Sequence, residues 1–191
     1  MLKDLIYKNR SYRRFYQHDK IKLVTLREIV DLARLSASAS NLQPLKYILS
    51  CDPQKNDLIF PQLAWAGYLK DWAGPEEGER PSAYILILGD NSIHHSFGCD
   101  HGIAAQNIML GAVEKGLGGC MLSSIKRDEL RKILNISSNY ELLLVLAIGK
   151  PKEKVVIEPI DTSGNIKYWR DDYQIHHVPK RTLDEIILAE Y

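Results

Sequence analysis

The sequence predicts an α+β fold: a small β-sheet sandwiched by helices, in one domain spanning 1–191. Two continuous apolar runs, Ala83–Gly89 and Leu142–Gly149, have the length and composition of buried strands. Between them lies a long apolar stretch with helical spacing, Cys99–Leu117. Strands and helices alternate only loosely, without a regular strand–helix–strand repeat. A chain of 191 residues suits one core of ordinary size.

The elements follow in order. Leu2–Asn9 is a short amphipathic helix with Leu2, Leu5 and Ile6 on one side. A polar connector, Gln17–Lys22, leads to a helix over 25–37. Thr25 and Glu28 have capping-box spacing, and Leu26, Ile29, Val30, Ala33 and Ala37 share one face. Lys46–Ser50 is a short strand. Leu63–Trp72 is a helical candidate carrying Trp65, Tyr68 and Trp72, as core anchors or as an aromatic wall. Gly74–Pro81, punctuated by Gly and Pro, reads as an exposed loop. The helix Cys99–Leu117 is apolar nearly all round and rich in small residues, so it must be covered on every side. It is either the central helix of the monomer or part of a subunit interface. Gly116–Gly119 terminates it, Cys120–Ser123 is a strand and Lys126–Leu134 a charged helix. The tail Ile157–Pro179 reads as polar and irregular. Thr182 and Glu185 open a final helix over about 183–189.

Composition narrows the function classes. A net charge of +1 argues against a broad nucleic-acid footprint. Three widely spaced cysteines, Cys51, Cys99 and Cys120, imply no disulfide framework and a cytoplasmic setting. The first residues are too charged for a signal peptide, and no run is long enough for a membrane span.

The chemistry concentrates in Asn9–Phe15, where Arg10, Arg13 and Arg14 surround the hydroxyl of Ser11. Guanidinium forks match phosphate oxygens two at a time, and a hydroxyl adds a donor. The same run would also suit a solvated basic turn. A second basic pair, Lys180 and Arg181, abuts the other end of the chain. Ser36–Pro44 is a run of small polar residues over which a flat ligand could lie, and equally a good loop. No P-loop, dinucleotide fingerprint or serine-hydrolase elbow occurs. His94, His95, Cys99 and His101 lack the spacing of a closed metal site, so no metal is expected. Without paired carboxylates, an enzyme built this way would leave the difficult chemistry to a cofactor.

Together these segments resemble the nitroreductase family of flavin enzymes along essentially the whole chain. The carriers are Arg10-Ser11-x-Arg13-x-Phe15, the loop Ser38-Ala-Ser-Asn41-Leu-Gln43-Pro44, the turn Gly116-Leu-Gly-Gly119-Cys120 and the pair Lys180-Arg181. Ala37 stands where the family has proline, and Asn9 where it has arginine.

The resemblance implies a mostly antiparallel sheet and an FMN-binding homodimer with the long helix at its interface. Arg10, Ser11, Arg13, Lys180 and Arg181 would hold the FMN phosphate. Ser38, Ser40, Asn41 and Gln43 would line the ring from the other subunit, with Gly118 and Gly119 facing N5. Lys70 and Arg80 are candidates by position for positive charge near N1, and residues 60–80 for a reduced lid. The implied activity is transfer of reducing equivalents from NAD(P)H to a small planar acceptor such as a nitroaromatic or quinone, with ping-pong kinetics. The alternative is a non-catalytic flavin or phospho-ligand binding module.

Overall fold

A computed structural model describes residues 1–191. Its centre is a four-stranded sheet, entirely antiparallel, of order β1-β2-β4-β3. The strands are β1 (Leu45–Ser50), β2 (Ala83–Asp90), β3 (Gly118–Leu122) and β4 (Tyr140–Gly149). Strand geometry alternates side chains across the sheet. On β2, Ala83, Ile85 and Ile87 therefore enter one core, and Tyr84, Leu86 and Leu88 the other. Every residue of β2 is buried, which explains its unbroken apolar run.

The first core is covered by α2 (Leu23–Arg34) and α4 (Asp100–Glu114), which supply Leu26, Ile29, Ala104, Ile108 and Ala112. These helices touch closely because position 111 is glycine. A Cβ there would lie 2.4 Å from the Leu32 side chain. The second core takes Ile59 from α3 (Pro53–Ile59), Leu130 from α5 (Arg127–Ile133), and Leu63 and Trp65 from the intervening chain. The sheet thus has helices on both faces, as the patterning predicts. The N-terminal helix α1 (Leu2–Lys8) lies against α4.

Several elements differ from the sequence reading. The helix read over 25–37 is α2, begins two residues earlier and ends at Arg34. Lys22 is its N-cap, so Thr25 and Glu28 lie inside it and form no capping box. Residues 63–72 are not helical. They form successive turns, with Ala66 at φ 39°, a value no helix tolerates. The helix of this region is α3, which opens on Asp52 accepting from the Gln54 N–H at 3.0 Å, with Pro53 in its first turn. Gly116, at φ 71°, ends α4, whereas Gly118 and Gly119 already belong to β3. The tail is not irregular. It forms a three-stranded sheet of order β5-β7-β6, from β5 (Val155–Pro159), β6 (Trp169–Arg170) and β7 (His176–Lys180). The last helix, α6 (Leu183–Ile186), keeps the Thr182–Glu185 capping box but is shorter than read.

The 74–81 loop is only partly exposed: Pro75 and Pro81 are buried, and Glu79 is drawn inward. Arg14 grips both Glu79 carboxylate oxygens, one at 2.7 Å, and Lys152 reaches the same group at 2.8 Å. The Arg14 hydrogen bond leads in holding the Glu79 carboxyl down to about 2. A depressed carboxyl stabilises the fold above the ordinary carboxylate range and stops doing so as pH falls through its folded value. The urea midpoint is therefore expected to drop as pH falls from the ordinary carboxylate range toward about 2. Glu79→Gln should flatten that slope, as urea titrations across the window would record.

Candidate active site

The residues around Ser11 are placed by backbone pairing. Ser11 bridges Gly119 at the edge of β3, and the Tyr12 N–H donates to the Gly119 carbonyl at 2.9 Å. Phe15, fully buried, bridges Pro151 just past β4 and anchors the other end of the segment. Glu153 supports the turn from beneath. Its carboxylate accepts from the backbone N–H groups of Arg13 and Arg14, the latter at 3.2 Å, and from Arg170 at 3.0 Å.

A cleft of about 340 Å³ opens where this segment meets α4, β3 and β7. Arg10, Ser11, Arg13, Gly119 and Lys180 line it, so both ends of the chain contribute cations to one space. Aspartate and glutamate are absent from its lining. Arg13 is 8% exposed. Its guanidinium donates to the Ser11 carbonyl at 3.3 Å and lies 4.7 Å from the Tyr168 ring centroid. It also meets His176 Nε2 at 3.0 Å. A guanidinium only donates, so Nε2 is the acceptor and His176 is neutral. Burial, with Arg13, Arg170 and His177 nearby, pushes His176 down to about 4. The Nε atoms of Arg10 and Arg13 are buried without partners. With Arg10, Arg13 and Lys180 and no carboxylate in its lining, this is a pocket with surplus positive charge, a composition suited to a phosphate or another anion.

The other residues singled out in the sequence lie elsewhere. Arg181 is exposed and pairs with Glu185 at 3.5 Å, outside the cleft. Gly118 packs under Tyr12 and Pro151 instead of facing the cleft; a Cβ would stand 2.5 Å from the Tyr12 ring. Lys70 does not line the cleft. Arg80 is occupied with Glu77 at 2.8 Å and the Phe60 ring at 4.4 Å.

Ser38 and Gln43 border a separate hollow beside the N-terminal end of α4, with Asp100 and Ala104. The cation cleft uses Gln106 and Met109 on another side of that helix. The small-residue loop is held under strain: Ser40, Asn41 and Gln43 all have φ between 50° and 54°. Buried Asp100 holds it, accepting from the Ser38 hydroxyl at 2.6 Å and the Ala39 N–H at 3.1 Å. Ser38 Oγ in turn accepts from the Gln43 N–H at 2.9 Å. The Ser38 hydroxyl is thus committed to shaping the loop. Ser38→Ala would leave that N–H to water and take the donor from one oxygen of buried Asp100, a loss of about 1–3 kcal/mol. Amide exchange at Gln43 is expected to quicken accordingly.

The sequence reading did not find Gln106, Met109, Met121, Tyr168, His176 or Val178 in the cleft, nor Glu153 beneath it. The period of two in His176, Val178 and Lys180 was the available signal for β7.

The comparisons agree with this architecture. The family model described as "Nitroreductase family" matches residues 6–150. A Bacillus subtilis (strain 168) protein named as an NAD(P)H nitroreductase, MhqN, is 25% identical, over 78% of this chain and 87% of its own length. Among solved structures, an FMN-dependent nitroreductase from Clostridium difficile R20291 is 25% identical with a TM-score of 0.64, covering 78% of this chain and 87% of that one. A nitroreductase family protein from Streptococcus pneumoniae TIGR4 superposes over 100% of both chains with a TM-score of 0.69 at 15% identity, which supports the fold alone.

Proposed function

The chain belongs to the nitroreductase family, and from that premise we propose that it is an FMN-dependent oxidoreductase drawing reducing equivalents from NAD(P)H. The observation that carries this reading is the cation cleft. Arg10, Arg13 and Lys180 converge there without a lining carboxylate, and two buried guanidinium nitrogens lack acceptors. A phosphate monoester answers the surplus charge. Bound there, FMN would supply two-electron redox chemistry at its N5 atom.

The residues of this chain bind and orient. Arg10, Ser11, Arg13 and Lys180 hold the phosphate end. Gly119 lets β3 lie close against β4 beside the cleft, since a Cβ there would stand 2.2 Å from the Ala147 carbonyl oxygen. The buried Arg13 charge favours an electron-rich ligand. NAD(P)H and a flat electron-poor acceptor, nitroaromatic or quinone, would take turns on one face, giving ping-pong kinetics. Arg181, turned to Glu185, has no part in phosphate binding in this reading.

The working unit in this proposal is a cytoplasmic homodimer of chains that each act as one unit from 1 to 191. On α4, Gly102 and Gln106 are exposed and Ile103, Leu110 and Val113 half-buried, while Leu2 and Ile6 of α1 face outward beside them. That apolar face suits a second subunit, whose small-residue loop, with Ser40, Asn41 and Gln43, would border the ring. No helix is long and apolar enough to cross a membrane.

Purified protein should be yellow, elute as a dimer and bleach when NADH or NADPH is added without oxygen. Retained flavin that neither nucleotide bleaches would instead indicate a binding module.

A further inference from the structure

Strand β7 carries two adjacent histidines that face opposite ways. His176, Val178 and Lys180 look into the cation cleft. His177, on the other face, lies between two carboxylates: Nδ1 is 2.9 Å from Glu158 and Nε2 is 3.3 Å from Asp171. A carboxylate can only accept, and a neutral imidazole has one N–H. Both contacts are satisfied only by the imidazolium. Trp169 stacks on the same ring, with centroids 4.1 Å apart and planes 11° apart, and its indole N–H donates to Glu158 at 3.0 Å. A cation on an indole face is a further attraction.

The clamp joins three elements. Glu158 comes from β5, the parallel neighbour of β7. Trp169 comes from β6, the antiparallel neighbour, and Asp171 follows it. The other charged groups nearby do not compete for the ring. Arg170 of β6 is bonded to Glu153 and lies over Trp72, and His176 is occupied with Arg13. Asp161 and Lys167 share a hollow with Glu158 and Trp169 on the outer side.

We propose that His177 is a positioning residue: its imidazolium, held between Glu158 and Asp171, fixes β7 where His176 and Lys180 reach the cleft, so the cleft's grip on a phosphate-bearing ligand weakens when that proton leaves. The ligand side of this inference rests on the flavin reading above; the clamp itself does not. Burial opposes the charge on His177, but the hydrogen bonds to Glu158 and Asp171 outweigh it and raise the group above an ordinary histidine. With both carboxylates ionised, the clamp is complete below that raised value and is lost as pH rises through it.

The test is an NMR titration of the full chain, followed by FMN binding. The His177 ring signals should titrate with a midpoint above about 6.5, and the amides of Val178 and Lys180 should move with the same midpoint. Both responses should vanish in His177→Gln. Asp171→Asn, a second variant in case the first fails to fold, should lower the midpoint. Relative to His177→Gln, the FMN dissociation constant should weaken on the order of threefold between about pH 7 and about pH 9. The second ionisation of a phosphate monoester pulls the other way, and comparison with the variant removes it.

A His177 midpoint at or below about 6.5, or β7 amides that ignore it, would overturn the clamp. FMN binding that is tight but has the same pH dependence as in His177→Gln would overturn its coupling to the cleft while leaving the flavin reading intact. If FMN fails to bind at either pH, the flavin reading falls, and the ring and amide midpoints still decide the clamp.

Discussion

Replacing Arg13 with alanine is expected to weaken FMN binding about tenfold to a hundredfold. That range corresponds to the roughly 1.5–3 kcal/mol of a hydrogen bond to a charged group. Arg13 is the buried cation of the cleft, and its Nε has no acceptor in the protein. Its remaining contacts are neutral: a carbonyl, an imidazole nitrogen and an aromatic face. The side chain therefore brings uncompensated charge to the ligand, and alanine removes it. Arg13→Lys should recover part of the loss, because a point charge replaces the fork without its planar geometry. Arg10→Ala should weaken binding in the same direction. Arg14→Ala is the control. Arg14 is spent on Glu79, outside the cleft, so FMN affinity should be unchanged. Flavin fluorescence titrations of the four variants test this. Equal affinity in Arg13→Ala and the parent would remove the phosphate assignment.

The Arg10–Arg14 segment was legible because its chemistry is local: three guanidinium groups and a hydroxyl within five residues. Strands β2 and β4 were legible for a different reason. They are buried on both faces, and such strands must be apolar without interruption. The small sheet was hidden because its strands are short and, beyond Val155–Ile157, mostly polar. His177 with Glu158, Asp171 and Trp169 reads in sequence as scattered polar residues.

The segment 63–72 misled through its aromatic spacing. Trp65 is buried as an anchor, but positive φ at Ala66 and the turns that follow replace a helix. Sequence could not separate Lys180 from Arg181 either. Their roles part because strand alternation sends Lys180 to the cleft while the α6 cap draws Arg181 to Glu185.

Glu153 shows how far a decisive residue can escape patterning. In sequence it lies in Pro151-Lys-Glu-Lys, which looks like a solvated exit from the sheet. In the fold its side chain is fully covered and serves three donors: the Arg13 and Arg14 amides and the Arg170 guanidinium. Removing one partner of a buried pair leaves the other charge uncompensated, a loss of about 3–5 kcal/mol. Glu153→Ala is therefore expected to cost that much in urea unfolding. It should also loosen the Arg10–Arg14 turn, because two amides lose their acceptor together. Glu153→Gln keeps one acceptor oxygen and should cost less. The double variant Glu153→Met/Arg170→Met removes both charges and should regain much of the stability lost in Glu153→Ala, since apolar replacement of a buried pair is often neutral. It still leaves the two amides unanswered, so it should not restore tight FMN binding. If the double variant is as unstable as Glu153→Ala, the main-chain hydrogen bonds, and not the ion pair with Arg170, are what Glu153 provides.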